Sequence, residues 1–347
     1  MFKIVDKYIL KQLIKTFLSS FIILTALMLL VNIIQMSHVI FAQGVTLYII
    51  FKILYQQTTF VSIFTIPMAL TVAVNFVYTD FAKNNEIVAF QTSGISKSIL
   101  YKPALVFTIF IFLIAFLNTS SIAYKQRGEF HLTLLQLAKH KIYSKISEKS
   151  FFHFSKNSVI YAETISPDTL KLKSIFLQTP QETITAQEGY FGDSLQGTTF
   201  SMKNGNMYKE TNTGIETATF KKFNTLISTQ RIVQKEEEIR KNPKYMSMWQ
   251  LMRIKDDFAK MQINKMFVLA FSVFVLSLIA FGLGVTSKKA GKSFGFALCL
   301  LIFVLFYIFQ VFGESIAKSM HVPFYMWLPN IVLGIFGTVL SLSVARR

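Results

Sequence analysis

The sequence predicts an α-helical polytopic membrane protein with six transmembrane helices and an inserted all-β, jelly-roll-like domain. Three observations predict this class. Hydrophobic residues make up 52% of the 347 residues and charged residues only 16%, whereas about a quarter is usual in soluble proteins. Uncharged apolar stretches long enough to cross a bilayer occur in both halves of the chain. Between them, residues 125–265 are polar and carry short runs of β-forming residues.

The first half of the chain accounts for three of the predicted helices. Residues 16–79 contain a single charged residue, Lys52, and a membrane helix needs about 20 apolar residues. This stretch therefore predicts two long spans, near 17–40 and 50–78, with a break near position 43. A third span is expected at about 103–124.

A basic segment, residues 1–16, precedes the first span. Its lysines recur every four residues, which places them on one face of a helix. We interpret the segment as an anchor that holds the N-terminus on the cytoplasmic side, with a specific lipid-binding helix as the alternative. The lysines are Lys3, Lys7, Lys11 and Lys15.

The polar insert has a helical beginning and end and a β-rich middle. Residues 126–149 are predicted to be helical, and 234–262 form a charged helical return with a break at Pro243. Several short β-type runs without intervening helices favour a sandwich or a jelly roll. The predicted strands are 151–154, 159–162, 172–177, 183–186, 198–202, 215–220 and 223–227. Asn204-Gly205-Asn206 is interpreted as a tight turn, and Gly189, Gly192 and Gly197 as strand breaks.

The second half of the chain completes the membrane part and indicates its orientation. Three more spans are predicted near 266–287, 294–317 and 324–345. Lysine and arginine concentrate at both ends of the chain and in the loops 80–102 and 288–292. Because short cytoplasmic loops carry the excess of positive charge, both termini are expected in the cytoplasm. Residues 125–265 are then exported, since long domains escape this rule.

The charge balance points to membranes rather than to nucleic acids. The net charge is +18, but in a membrane protein such an excess first reflects topology and contact with anionic lipid headgroups. The single cysteine, Cys299, allows neither a disulfide within the chain nor a cysteine-based metal site.

Sequence patterns of catalysis are lacking. Gly291-Lys292-Ser293 matches the end of a phosphate-binding loop, but Thr286 stands where that loop needs its first glycine, so we exclude nucleotide binding there. No HExxH metalloprotease pattern is present, and the spans have no acidic pair for a proton relay. The sequence therefore predicts a non-catalytic chain that binds no cofactor or metal of its own.

A polar stretch, residues 79–98, separates the second and third spans and carries charges of both signs. This stretch predicts a short helix, with Thr79 or Asp80 as its N-cap. Gly94 is expected to end the helix in the left-handed conformation. Ser96 would then be the N-cap of the next span. A short helix at the cytoplasmic surface can receive force from a soluble partner. An ordinary solvated loop is the alternative.

Two charged residues fall near the outer ends of spans. A lysine deep in hydrocarbon costs about 3 kcal/mol, and less near the interface, where the side chain reaches water. Lys52 is therefore either such an interfacial lysine or a cation that faces an internal cavity and meets an anionic headgroup. Glu314 has the same two interpretations.

The order of the segments, with several local blocks, resembles the lipopolysaccharide-export permeases of the LptF/LptG type, also called the YjgP/YjgQ family. The match extends over nearly the whole chain, and the blocks become specific through their order. They are Ile66-Pro67-Met68-Ala69-Leu70, Asn85-Glu86-Ile87-Val88-Ala89-Phe90, Gly94-Ile95-Ser96, Asn204-Gly205-Asn206-Met207-Tyr208, Lys289-Ala290-Gly291-Lys292-Ser293, Val322-Pro323 and Trp327-Leu328-Pro329-Asn330. The loop at Gly44 and the run Tyr78-Thr79-Asp80 are more similar to LptF than to LptG.

This resemblance implies an architecture and a role. It implies an N-terminal membrane half (1–124), a periplasmic β-jellyroll-like domain (125–265) and a C-terminal membrane half (266–347). The chain would form a heterodimer with a homologous permease in the inner membrane of Gram-negative bacteria. A cytoplasmic ABC ATPase dimer would supply the energy, binding ATP and Mg itself. The complex would extract lipopolysaccharide and pass it to a periplasmic jelly-roll bridge protein.

The resemblance also assigns residues. The family's coupling helix corresponds to about 80–94 here, and the residues implied in coupling to the ATPase are Asp80, Glu86, Ala89, Phe90, Gly94 and Ser96. The family's basic cavity residues match less well. Lys52 is the candidate in the second span, and the first span offers only His38.

Two other functions compete with this one. An ion-coupled secondary transporter would need discontinuous helices and ionisable residues near the middle of the bilayer. A membrane scaffold would merely display the exported domain, and it need not bind an ATPase.

Overall fold

The computed structural model describes most of the chain. The described residues are 4–37, 46–144, 149–155, 158–166, 171–179, 182–194, 197–211, 214–227, 230–254, 256–286 and 292–346. The chain divides into two compact units. One comprises Met1–Gln35, Phe51–Phe130 and Asn242–Arg347, and the other Met36–Ile50 and His131–Lys241.

The first unit is helical. In chain order, its helices are α1 (Ile4–Gln35), α2 (Leu47–Lys83), α3 (Glu86–Thr92), α4 (Lys97–Leu117), a π-helical turn (Asn118–Ala123), α5 (Tyr124–Ser144), α7 (Met248–Leu251), α8 (Asp257–Thr286), α9 (Lys292–Met320) and α10 (Leu328–Arg346), with 3-10 turns at Pro243–Tyr245 and Pro323–Trp327. Helices α2 and α5 continue into the second unit, which also holds α6 (Gln230–Lys241).

Six stretches of described helix are long and apolar enough to cross a membrane, as the sequence predicted. They are Ile4–Gln35, Leu47–Lys83, Ile99–Leu137, Asp257–Thr286, Phe294–Met320 and Pro323–Ser343. The basic N-terminal segment is not a separate element, because α1 runs from it into the first span without a break. The predicted helix after the third span is likewise continuous with that span through the π-helical turn.

Helices α2 and α8 form the centre of this unit. In their most apolar windows 83% and 72% of the residues are buried, against 11% in α1 and 28% in the last span. Helices that are apolar all round can lie in such a centre or face lipid. Gly284 allows the close approach of the two central helices, because a Cβ at that position would lie 2.9 Å from the carbonyl oxygen of Asn75.

The second unit contains one antiparallel sheet, which confirms the predicted all-β insert. Its described strands pair strictly in sequence order, from β1 to β6. Neighbouring described strands are therefore joined as a meander, without Greek-key crossovers among them. The strands are β1 (Ser150–Ser155), β2 (Ser158–Ser166), β3 (Lys171–Gln178), β4 (Thr183–Ser194), β5 (Gly197–Thr211) and β6 (Gly214–Ile227).

The strands are longer than the sequence predicted. The two runs 215–220 and 223–227 are one strand, β6. Asn204-Gly205-Asn206 is not a turn but the middle of β5, and Gly189 and Gly192 lie inside β4. Only Gly197 stands at a strand boundary, as expected.

One bend in the sheet explains these differences. In β3, Leu172 and Ile175 are both buried, so the alternation of inward and outward side chains shifts by one residue between them. The same shift occurs in β4, where Ala186 and Gly189 are buried and the two residues between them are exposed. Two successive outward residues are the usual mark of a local bend. A period-two pattern read from the sequence therefore stops there, although the strand continues.

Candidate functional site

The short segment after α2 begins later than the sequence predicted. Helix α2 continues to Lys83, so Thr79 and Asp80 lie inside it and cap nothing. The reason is packing, since Tyr78, Phe81 and Ala82 continue the buried face of α2 through this region. The predicted helix at about 80–94 is corrected to α3, Glu86–Thr92.

The ends of α3 follow the expected chemistry in part. Asn85 at its start has a φ of 58°, a left-handed conformation that asparagine tolerates better than most residues. Gly94 has a φ of 81°, as predicted for the residue that ends the helix. Ser96 stands at the N-cap of α4, the expected position, although its side chain makes no capping hydrogen bond.

Helix α3 is held by one apolar face. Ile87 is only 5% exposed and belongs to the main core of the helical unit. Phe90 packs edge-on against Phe81 of α2, with 6.3 Å between ring centroids. The opposite face is free of such contacts, since Val88 is 49% exposed and Ala89 is exposed as well.

The predicted coupling residues therefore separate into three groups. Ala89, Gly94 and Ser96 are exposed, Glu86 and Phe90 are partly buried, and Asp80 lies on a different helix.

Aromatic contacts connect the α3 region to three spans. Phe81 stacks on Tyr8 of α1 at 5.7 Å and meets Tyr78 edge-on at 5.9 Å. Tyr78 in turn packs against Phe281 of α8 at 4.7 Å. Its hydroxyl, fully buried, donates a hydrogen bond of 2.6 Å to the carbonyl oxygen of Leu100 in α4. These contacts join α1, α4 and α8 to the end of α2 that leads to α3.

A second hydrogen-bonded cluster ties α4 to α8. The hydroxyls of Thr108 and Ser277 are 2.8 Å apart, and that of Tyr101 lies 3.3 Å from Ser277. These direct contacts can transmit a displacement of α4 to α8, or of α8 to α4.

A cavity of about 360 Å³ lies near Phe60 of α2, 21 residues before Phe81. At 1.5 Å per residue this is about 32 Å along the helix from the α3 region. We call these two regions the cavity end and the α3 end of the bundle. The cavity is lined by Phe60, Tyr124, Arg127, Lys244, Tyr245, Phe258, Met261, Gln262, Lys265, Glu314, Lys318 and Met326.

The charges of this lining are mostly positive. Among the described residues it has four cations, Arg127, Lys244, Lys265 and Lys318, and one carboxylate, that of Glu314. Glu314 accepts hydrogen bonds from Lys265 at 2.7 Å and from Lys318 at 2.8 Å. Because one carboxylate serves two lysines, the pairing leaves an excess of positive charge at the cavity.

Arg127 is positioned by an aromatic ring. Its guanidinium carbon lies 3.9 Å from the centroid of Phe60, in a cation–π contact. The π-helical turn at Asn118–Ala123 precedes it. Such a turn takes one residue more than an α-helical turn, so it rotates everything after it around the helix axis. Segments of this kind are often found at functional sites.

Of the two cavity residues that the sequence proposed, the structure describes only Lys52. Lys52 is partly exposed in the second turn of α2 and does not line this cavity, and His38 lies outside the described residues. The sequence reasoning missed Arg127, Lys244, Lys265 and Lys318. One signal in the sequence could have pointed to this site. Lys265 and Glu314 have opposite charges and lie at the ends of two predicted spans that face the same side of the membrane.

The described residues contain no group of three or more His, Cys, Asp or Glu side chains that could hold a metal ion. The arrangement at the cavity end instead suits an anionic ligand, since it combines fixed cations with an aromatic wall.

The model of the family described as Lipopolysaccharide export system permease LptF/LptG matches residues 7–343 of the chain. No curated protein matches it.

Proposed function

This chain belongs to the LptF/LptG family of lipopolysaccharide export system permeases, and we propose that it is the transmembrane subunit of an ATP-driven exporter. In this proposal it pairs with a homologous permease, and the pair encloses a lipid-sized chamber. A cytoplasmic ABC ATPase dimer binds and hydrolyses ATP with Mg. The chain itself catalyses no reaction and delivers lipopolysaccharide to a periplasmic bridge protein.

The proposed orientation follows the distribution of positive charge. The α3 end and both termini would lie on the cytoplasmic side of the inner membrane, since the short basic segments are there. The cavity end and the β sheet would lie on the periplasmic side. In this proposal residues 1–124 and 266–347 form the two membrane halves and 125–265 the periplasmic domain.

The observation that carries the proposal, together with the family match, is the positive cavity at the end of the bundle away from α3. Lipopolysaccharide has phosphorylated sugars at the membrane surface. An arginine guanidinium can donate two parallel hydrogen bonds to one phosphate group. Arg127 is held on Phe60 and lines the cavity. Lys265 and Lys318 are fixed by Glu314 and need little reorganisation to add their charge.

The α3 end supports a mechanical role. A partner that presses on the exposed face of α3 would push against Ile87 and Phe90, which are anchored in the core and on Phe81. The contacts of Phe81 and Tyr78 lead from there to α1, α4 and α8. Movement of these spans would narrow the chamber and expel the lipid outward.

The experiment that tests the function is purification in mild detergent, followed by identification of partners and an ATPase assay. We expect an ATPase and a second permease to co-purify, and lipopolysaccharide to stimulate ATP hydrolysis. Activity of the chain alone in liposomes, driven by an ion gradient, would contradict the proposal and favour a secondary transporter. A stable chain that brings down no ATPase would favour a scaffold.

Glu86→Arg tests the coupling role of α3. Glu86 opens α3 next to the exposed face, so reversing its charge should uncouple ATP hydrolysis from export without preventing membrane insertion. The matched control is Glu216→Arg, the same change at an exposed residue of β6. Normal export by a stable Glu86→Arg protein would count strongly against this role.

Photocrosslinkers at two positions separate the candidate headgroup contacts. We expect a crosslinker at Lys244, in the cavity lining, to trap lipopolysaccharide. If Lys52 also meets the glycolipid, a crosslinker at 52 should trap it too. Crosslinks from 52 to bulk phospholipid alone would identify it as an interfacial lysine.

A further inference from the structure

We propose that the outward face of the β sheet carries a saccharide-binding groove along its bend, with a lysine cluster at one end that binds a phosphate on the sugar. This inference rests on the proposed export function for the identity of the glycan, which would be the phosphorylated saccharide of the transported lipid.

The bend crosses five strands in a single row. Each of the four ladders from β2–β3 to β5–β6 omits one pair of opposite residues and then continues in the same register. For example, β4 and β5 pair at Ala186 with Gly205 and at Glu188 with Lys203, but not between them. The row consists of Glu163, Ser174, Gln187, Asn204 and Lys221. Interruptions that coincide in this way belong to the whole sheet and not to one strand.

Two residues of the row hold an unusual backbone conformation. Ser174 has a φ of 52° and Asn204 a φ of 51°, in the left-handed region that residues with a side chain rarely adopt within strands. Glycine would take this conformation without steric cost. Backbone strain of this kind clusters at binding sites and ligand clamps, and here both strained residues line the same groove.

The groove has a volume of about 380 Å³. Gly205, in its lining, allows the close approach of β4 and β5, because a Cβ at that position would overlap the carbonyl oxygen of Thr185. Hydroxyl and amide side chains dominate the lining, which consists of Ser174, Ile175, Thr185, Ala186, Gln187, Asn204, Gly205 and Asn206. Such groups both donate and accept hydrogen bonds, which is what the hydroxyls of a sugar require.

Positive charge collects where the row reaches β6. Lys203 and Lys222 are direct cross-strand partners and Lys221 is next to Lys222, so three lysines stand against one carboxylate, that of Glu188, which is the partner of Lys203 on β4. All three lysines are exposed. Like charges directly opposite each other destabilise a sheet, so their presence beside the groove favours a bound anion. Lysines also protect edge strands from pairing with other chains, and the test below distinguishes that role.

The test uses the full-length chain in detergent and the deacylated, phosphorylated saccharide of lipopolysaccharide as the probe. The double variant Asn204→Gly with Gln187→Ala removes two amides, and glycine at 204 keeps the left-handed backbone. We expect this variant to weaken probe binding at least fivefold at an unchanged melting temperature. A photocrosslinker at Gln187 should trap the probe, whereas one at Lys209, an exposed residue of β5 farther along the strand than Asn204, should not.

The lysine cluster is tested by Lys221→Gln with Lys222→Gln. This variant should weaken binding of the phosphorylated probe several-fold and leave binding of the dephosphorylated probe unchanged. The matched control Lys209→Gln should bind both probes normally. If this variant bound both probes as tightly as the unchanged protein and also began to self-associate, the lysines would serve to protect the edge strand. That result would overturn the anion site.

Binding of the saccharide that is unaffected by the Asn204 and Gln187 changes would overturn the groove. So would crosslinks from Gln187 to a bridge protein in place of the saccharide. Stimulation of ATP hydrolysis by intact lipopolysaccharide, measured on the same preparations, tests the export function separately. A preparation that is stimulated normally but shows no groove binding refutes only this inference.

Discussion

The two ends of the helical bundle are held together by different forces. At the α3 end, Ile87, Phe90, Phe81 and Tyr78 pack as a cluster of aliphatic and aromatic side chains. At the cavity end, charged contacts are added to the packing, namely those of Glu314 with Lys265 and Lys318 and of Arg127 with Phe60. Helix α2 passes through both regions.

This difference matches two different tasks. Close packing resists compression, so an apolar cluster transmits displacement from one helix to the next. Charged groups at a partly open cavity can exchange one partner for another, so they can accept and release an anion. The following predictions test whether the two ends differ in this way.

The largest effect is expected from Ile87→Ala. Truncating a buried isoleucine to alanine costs about 2–4 kcal/mol. Ile87 is the buried residue through which α3 is anchored. We expect lower thermal stability and loss of coupling between ATP hydrolysis and export. The matched control is Val88→Ala, one residue away and half exposed, which should change stability by less than about 0.5 kcal/mol. Equal effects of the two changes would mean that α3 is not docked through this face.

A smaller effect is expected from Glu314→Gln at the cavity end. Its removal leaves Lys265 and Lys318 without their shared carboxylate in a partly buried site, at a cost of about 1–3 kcal/mol. We expect this loss in detergent melting curves, together with tighter binding of anionic lipid, because the cavity becomes more positive.

The matched control for that change is Asp257→Asn. Asp257 pairs with Lys260 at 2.8 Å, but both side chains are more than half exposed. Water and salt screen such an exposed pair, so it should contribute little to stability. If Asp257→Asn destabilised the protein as much as Glu314→Gln, the cavity network would have no special role in holding the bundle.

The smallest effect is expected from Tyr78→Phe. This change keeps the ring contacts with Phe81 and Phe281 but removes the hydrogen bond to Leu100, worth about 0.5–1.5 kcal/mol. If packing dominates at the α3 end, coupling should be largely retained. Complete loss of coupling in a stable Tyr78→Phe protein would show that the hydrogen bond transmits the motion and would weaken the contrast between the two ends.

Local sequence patterns predicted β3 across the bend, since the run 172–177 includes Ser174, but in β2, β4, β5 and β6 the predicted runs stop at or near it. The predicted runs 159–162, 183–186 and 198–202 all end beside it, and the gap between 215–220 and 223–227 falls on it. Alternation defines a strand only while each residue faces opposite to the last. Lys221 and Lys222 are two successive polar residues that both face outward. They interrupt the alternation, and the sequence pattern therefore divides β6 into two runs.

The short helix at the α3 end was predicted in kind but not in extent. Gly94 was correctly placed at its end, because a left-handed glycine is a local signal. Asp80 was wrongly assigned to it, because its neighbours Phe81 and Ala82 are buried against other helices. That burial extends α2 by a turn, and it depends on residues far away in the sequence.

The sequence by itself determined the number of membrane helices, the inserted β domain and the excess of positive charge in short segments. These follow from composition and from spacing within a single segment, which are local properties. Only the tertiary structure decided that Lys265 meets Glu314, that Arg127 lies on Phe60, and that five strands bend in one row. Each of these depends on the relative position of segments distant in the chain, and that position is set by packing and strand register.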